Sequence, residues 1–119
     1  MTLTDTGPLV ALLDETDQFH DQVIRTAQRI SWPLVTTEAC IVEAAYLLGQ
    51  AAGWHGQIAL QRFHTDGTLE VLRPPTDGPS RAFAFMQRFH DIPCDYADAT
   101  LLVALEDAST NFSRDNHPL

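Results

Sequence analysis

Four acidic residues lie where a predicted strand ends or a predicted helix begins: Asp5, Glu43, Asp98 and Asp115. In α/β domains such junctions converge on one edge of a parallel sheet, so carboxylates far apart in sequence can meet there. Carboxylates gathered in one cleft repel each other unless a positive charge lies between them. Divalent cations that prefer oxygen ligands are the usual occupants. The pattern therefore predicts a metal-dependent enzyme.

Each acid also has an ordinary structural explanation. Asp98 is the third residue after Asp95, a candidate N-cap, and a helix dipole favours a carboxylate at that position. We interpret Asp95 as the cap in preference to a supporting residue of a metal site. Asp5 precedes a Gly-Pro turn and can bond backbone amides. Glu43 is the most telling acid, because its helical run is otherwise apolar and burying a lone carboxylate is costly, although a solvent-facing position stays open.

The composition removes several other kinds of site. All seven basic residues are Arg, which excludes the Lys of a phosphate-binding P-loop, of a Schiff base or of a receiver domain. The five His residues lack zinc-ligand spacing, and the two Cys residues are expected to be free thiols. A net charge of −9 argues against a general basic surface for nucleic acid. A nucleic-acid substrate would need a metal and a few local arginines, and hydrolysis by metal-activated water is the chemistry that remains.

The length and composition predict one globular domain spanning residues 1–119. The content of 45% hydrophobic and 19% charged residues is ordinary for a folded soluble protein. The apolar stretch 8–13 is too short to span a bilayer or to form a signal core. We expect a cytoplasmic protein with no membrane association.

Strand and helix patterns alternate along the chain. Strands are predicted before Asp5 and over 34–36, 69–72 and 111–113. Helices are predicted over 9–13, after Thr16, after Thr37 as far as Gly53, and over 55–64, 80–89 and 96–107. In the helix 80–89 we expect Phe83, Met86 and Phe89 to face inward. This alternation implies right-handed crossovers and a parallel sheet.

Residues 4–13 are similar to the opening of PIN domains, in particular the VapC-type ribonuclease toxins of bacterial toxin–antitoxin modules. Residues 36–48, which include Glu43, resemble the second acidic motif of that family, and residues 95–99 resemble the third. Residues 112–115 resemble the fourth, in which a Thr or Ser stands two residues before an Asp. The similarity extends over essentially the whole chain, in the order of the family.

The resemblance implies an α/β fold of three layers, α/β/α, around a central parallel sheet of about four strands. It implies Mg²⁺ or Mn²⁺ held by Asp5, Glu43 and Asp98, with Asp115 as a supporting ligand. Hydroxyl or carboxyl groups that orient these ligands would come from Thr6, Ser113 and Asp95. Members of the family usually continue through a further strand after the fourth acid, whereas this sequence ends at Leu119. The resemblance leaves open whether the C-terminal edge of the sheet is truncated.

The function implied by the resemblance is a Mg²⁺-dependent endoribonuclease, the toxin of a type II toxin–antitoxin system. Its partners would be an RNA substrate, a small cognate antitoxin and a second copy in a homodimer. Two alternatives stay open: a catalytically silent PIN-fold module that binds an antitoxin-like partner, and a housekeeping PIN nuclease for RNA processing. Arg25 and Arg29 are candidates for contact with phosphate or antitoxin, and a solvated helix face explains them equally well.

Overall fold

The computed structural model of the chain describes the backbone of residues 1–115 and the side chains of residues 1–108. In this range three strands and six helices follow one another. Their order is β1 (Thr2–Leu3), α1 (Thr6–Leu13), α2 (His20–Ala27), β2 (Leu34–Thr37), α3 (Glu38–Ala52), α4 (Trp54–Thr65), β3 (Leu69–Leu72), α5 (Gly78–Arg88) and α6 (Tyr96–Asp115). The predicted α/β class is confirmed.

The sheet is parallel, and β2 is its central strand. Thr2 pairs with Leu34, and Leu34 in turn pairs with Leu69. The described residues form three strands, close to the predicted four. The prediction of a strand over 111–113 is wrong, because these residues continue α6. Residues 96–115 contain no Gly or Pro. Because no helix-breaking residue ends α6 before position 111, the helix continues through the segment predicted as strand.

One face of the sheet, which we call the packed face, is covered by a continuous apolar core. Side chains alternate between the two faces along a strand, and Leu34 of β2 points into this core. Helices α1, α3 and α4 supply most of the remaining members. The core contains Leu9, Val10, Leu34, Ala44, Leu48, Leu60 and Leu69, each less than 9% exposed.

The opposite face, which we call the groove face, is covered less completely. Val35 and Thr37 of β2 point to this side, where α6 lies against the strand and α5 packs on α6 through Ala82, Ala99 and Val103. A groove of about 1150 Å³ remains between the sheet, the start of α3 and α6. Its apolar lining includes Leu3, Val35, Val42, Leu72, Tyr96 and Leu105.

Local signals set the ends of α3 as the sequence predicted. The Thr37 hydroxyl accepts a hydrogen bond from the Cys40 amide at 3.5 Å, which caps the helix. Gly53 ends the helix with φ of +59°, a conformation that glycine adopts without steric cost. A side chain at Gly56 would collide with the Leu48 carbonyl, so this glycine allows α3 and α4 to pack closely.

On α5, Met86 packs inward as predicted, but Phe83 does not. Phe83 is 59% exposed and lies against the ring of Tyr96, with 5.4 Å between the ring centroids. Ala82 is fully buried instead, and Phe85 and Met86 pack beside it. The reason is the close approach of α6, which leaves room for a methyl group at the contact and directs the larger ring outward.

None of the helices in the described residues is both long enough and apolar enough to cross a membrane. The two cysteines, Cys40 and Cys94, are both free thiols, and Cys40 is buried.

Candidate active site

The first turns of α1, α3 and α6 meet at Cys40, beside the ends of β1 and β2. The Thr6 hydroxyl of α1 donates to the Cys40 carbonyl at 3.5 Å. The Cys40 thiol lies 3.9 Å from the Ala97 carbonyl of α6. Cys40 and Ala97 also share a small apolar cluster with Leu3 and Leu101. We call this meeting of three helix starts the Cys40 junction.

Three of the predicted site residues flank the Cys40 junction. Asp5 immediately precedes Thr6, Glu43 lies about one helical turn after Cys40, and Asp98 follows Ala97. Asp5 is exposed, whereas Glu43 and Asp98 are partly buried. Among the described side chains, no three Asp, Glu, His or Cys residues stand close enough to form a ready-made metal site. The fold therefore brings the three acid-bearing segments to one junction without bringing their carboxylates into one cluster.

Asp98 makes reciprocal hydrogen bonds with Asp95 at the start of α6. The Asp98 amide donates to Asp95 Oδ1 at 2.8 Å, and the Asp95 amide donates to Asp98 Oδ2 at 3.1 Å. This is a capping box, so Asp95 acts as the cap that we preferred from the sequence. One oxygen of Asp98 is used in the box, and Oδ1 accepts no hydrogen bond from the described residues.

Among the residues expected to orient the ligands, the Thr6 hydroxyl has a different partner from the one that the resemblance implied. The Thr6 hydroxyl joins α1 to α3 through the Cys40 carbonyl, whereas the resemblance implied a bond to a carboxylate. The backbone of Ser113 and Asp115 lies in α6, and the strand end that we predicted before Asp115 is replaced by helix. The side chains of both residues lie outside the described part of the structure.

Arg73 is a candidate that sequence reasoning missed. It directly follows β3, lies at the same edge of the sheet as the ends of β1 and β2, and is exposed on the groove. It forms no ion pair with any described side chain. Arg25 and Arg29 are also exposed. The signal for Arg73 was available, because it is the first residue after the third strand.

Arg81, by contrast, forms ion pairs that join α5 to α6. Its guanidinium bonds Asp107 at 2.9 Å and Glu106 at 2.5 Å, and it lies 3.5 Å from Asp77. The hydrogen bonds that the guanidinium donates to Asp107 and Glu106 raise the pKa of Arg81 above its ordinary value. This arginine is therefore a poor candidate for binding a substrate phosphate.

The backbone is similar to that of VapC20 from Mycobacterium tuberculosis, a solved structure described as a toxin that cleaves the sarcin–ricin loop. The superposition has a TM-score of 0.83 and covers 92% of this chain and 84% of VapC20, with 17% sequence identity. No protein-family model and no curated protein matches the chain. At this level of identity the similarity concerns the fold. The chain thus has the fold of VapC-type PIN domains, which its sequence motifs predicted.

Proposed function

We propose that the protein is a Mg²⁺- or Mn²⁺-dependent endoribonuclease, the toxin of a type II toxin–antitoxin system. The observation that carries this proposal is the Cys40 junction, where the first turns of α1, α3 and α6 meet at the carboxyl edge of the sheet, with Asp5, Glu43 and Asp98 in or next to these helices. The similarity in fold to VapC20, described as a toxin that cleaves the sarcin–ricin loop, is consistent with this proposal.

The chemistry of the acids fits a hard divalent cation. Carboxylate oxygens are the protein ligands that Mg²⁺ and Mn²⁺ prefer. Asp5, Glu43 and Asp98 would hold the cation, with Asp115 as a supporting ligand. Partial burial of Glu43 and Asp98 strengthens their attraction for a cation, because water screens a charge less at a partly buried site.

When bound, the cation supplies a water activated for attack on the phosphodiester and offsets charge on the phosphoryl oxygens. The residues of the chain position these groups. The Asp95 amide holds Oδ2 of Asp98 and so restricts rotation of that carboxylate. Arg73 attracts a phosphate of the RNA to the same edge of the sheet, where a local positive charge is needed because the net charge of the protein is −9. A small antitoxin would keep the nuclease inactive, and the active form would be a homodimer.

Cleavage of structured RNA by the purified chain, freed of any partner and supplied with Mg²⁺ or Mn²⁺, tests the proposal. Three variants remove one charge each: Asp5→Asn, Glu43→Gln and Asp98→Asn. Asp98→Asn is informative because its amide oxygen still accepts from the Asp95 amide, so the helix cap is kept while a ligand charge is lost. We expect each variant to lose on the order of 1000-fold in rate, corresponding to several kcal/mol of metal-dependent stabilisation of the transition state.

Asp66→Asn is the matched control, because Asp66 is an exposed acid at the end of α4. It should cleave RNA like the wild type. Cleavage that persists in all three site variants, or a wild type that is inactive with both metals, would refute the proposal. Preference for single-stranded DNA would change the substrate class.

The second candidate is a catalytically silent PIN-fold module that binds an antitoxin-like partner. One observation favours it: the described carboxylates are not clustered, and Asp98 is used in a helix cap. A silent module would neither bind Mn²⁺ tightly nor cleave RNA. The same experiment therefore separates the two candidates.

A further inference from the structure

Two threonine hydroxyls join α3 to α6 beside the Cys40 junction. Thr37 Oγ1 and Thr100 Oγ1 are 2.8 Å apart, and Thr100 Oγ1 is 2.6 Å from the Ala97 carbonyl. Thr37 also accepts from the Cys40 amide. We call the contact between Thr37 and Thr100 the hydroxyl bridge. It connects residues 63 positions apart in the sequence.

The direction of the hydroxyl bridge follows from the number of protons. Each hydroxyl has one hydrogen to donate. The Thr100 hydrogen is committed to the Ala97 carbonyl, because a carbonyl oxygen can only accept. Thr37 must therefore be the donor to Thr100. The result is one continuous chain of hydrogen bonds that runs from the Cys40 amide through Thr37 and Thr100 to the Ala97 carbonyl.

The two ends of this chain lie next to the segments that carry two of the acids. Cys40 is about one turn before Glu43 on α3, and Ala97 is adjacent to Asp98 on α6. Thr37 is 8% exposed, so water competes little for its hydroxyl. The hydroxyl bridge thus holds the start of α3, the helix that carries Glu43, against the first turn of α6, which carries Asp98.

We propose that Thr37 and Thr100 are positioning residues that set the spacing of Glu43 and Asp98 for one divalent cation. This inference rests on the proposed nuclease function. A cation site requires its ligands to be held within about 0.5 Å of the productive geometry. Residues that orient metal ligands typically contribute 10- to 100-fold in metal affinity.

The informative variant is Thr100→Val, which removes the bridging hydroxyl and leaves Thr37 free to cap α3 through the Cys40 amide. Thr100→Ser keeps a hydroxyl at the same position. Thr65→Val is the matched control, since the Thr65 hydroxyl also bonds a carbonyl within its own helix, that of Gln61 in α4. Thr100→Ala removes the same bond without a branched side chain and replaces Thr100→Val where that variant does not fold.

The dissociation constant for Mn²⁺, measured from the electron paramagnetic resonance signal of free Mn²⁺, is the main readout, and thermal unfolding is measured in parallel. We expect Thr100→Val to raise the dissociation constant about 10-fold, and Thr100→Ser and Thr65→Val to stay near the wild-type value. The Mg²⁺ concentration for half-maximal RNA cleavage should rise in parallel in Thr100→Val.

Unchanged Mn²⁺ affinity in Thr100→Val, beside a wild type that binds Mn²⁺ and cleaves RNA, would overturn this inference alone. So would a failure of Thr100→Ser to restore affinity, or an equal loss in Thr65→Val. A wild type that neither binds Mn²⁺ nor cleaves RNA would overturn the proposed function together with the inference.

Discussion

The two faces of the sheet are built on different principles. The packed face is filled by aliphatic side chains from α1, α3 and α4, whereas the groove face leaves about 1150 Å³ open between the sheet and α6. On the groove side, the hydroxyl bridge joins β2 and α3 to α6. Tight apolar packing favours stability, while an open face with fixed polar groups can receive a ligand. We therefore expect a division between the two faces, in which the packed face contributes most of the stability and the groove face leaves room for a ligand.

The strongest test of this division is Leu48→Ala on the packed face. Leu48 is 1% exposed in the core, and its truncation should lower the free energy of unfolding by about 3 kcal/mol through lost burial and a residual cavity. The control is Leu105→Ala, because Leu105 lines the groove and is 49% exposed. Leu105→Ala should lower the free energy of unfolding by less than about 0.5 kcal/mol. Urea denaturation measures the unfolding free energy of both variants. Equal losses in Leu48→Ala and Leu105→Ala would contradict the expected division between the two faces.

A smaller effect is expected at the start of α6, the helix that covers the groove face. Asp95→Ala removes the side chain that accepts from the Asp98 amide and should cost about 1 kcal/mol of unfolding free energy. Asp95→Asn keeps an acceptor oxygen and should cost little. Urea denaturation measures the loss, and amide hydrogen exchange in the first turn of α6 locates it. The same loss in both variants would show that the capping bond does not stabilise the helix.

Arg73 tests whether the groove face receives RNA. Arg73→Gln should weaken RNA binding about fivefold at low salt, which corresponds to roughly 1 kcal/mol for one exposed charge. The difference from the wild type should shrink as salt increases, because exposed charges are screened. Arg62→Gln removes an exposed charge from α4 and serves as the control. Fluorescence anisotropy with labelled RNA measures the affinity of both variants. A larger loss of affinity in Arg62→Gln than in Arg73→Gln would indicate that RNA binds outside the groove.

The smallest expected effect lies at the end of α1, on the rim of the packed face. Hydrogen bonds from the Thr16 hydroxyl and amide lower the pKa of Asp14 below its ordinary value of 3.8. The charged form is therefore favoured in the folded state, and its contribution to stability is present above pH 3.8 and is lost as the pH falls through the lowered pKa.

Thr16→Val removes the hydroxyl bond and should raise the pKa of Asp14 toward the ordinary value. An NMR titration of the Asp14 carboxyl carbon measures the shift. Thr26→Val is the control, because the Thr26 hydroxyl bonds the Gln22 carbonyl and no carboxylate. An unchanged Asp14 pKa in Thr16→Val would assign the effect to the backbone amide alone.

Local signals in the sequence predicted most of the fold. The cap at Thr37, the end of α3 at Gly53 and the strand 69–72 all agree with the structure. The cap and the helix end each depend on a hydrogen bond or a backbone conformation within a few residues, and the strand is marked by its local apolar pattern although it pairs with the distant β2. The family resemblance added the PIN fold, which those local signals alone do not specify.

Two of the three failures concern contacts between residues that are distant in sequence, and the third concerns the end of a helix. Residues 111–113 were predicted as strand, yet they extend α6, because no local signal stops that helix. Phe83 was predicted to be buried by helical periodicity, but the approach of α6 selects Ala82 for the contact. Thr100 was not identified at all, since its partner Thr37 is remote in sequence.

By itself, the sequence determined which acids are available, that no lysine can take part, and where most of the helices begin. The tertiary structure decided that the starts of α1, α3 and α6 meet at Cys40 and that the hydroxyl bridge spans α3 and α6. The physical reason is the range of the interactions. A helix cap forms between residues a few positions apart, whereas the meeting of α3 and α6 at Cys40 requires two helices to pack against one sheet.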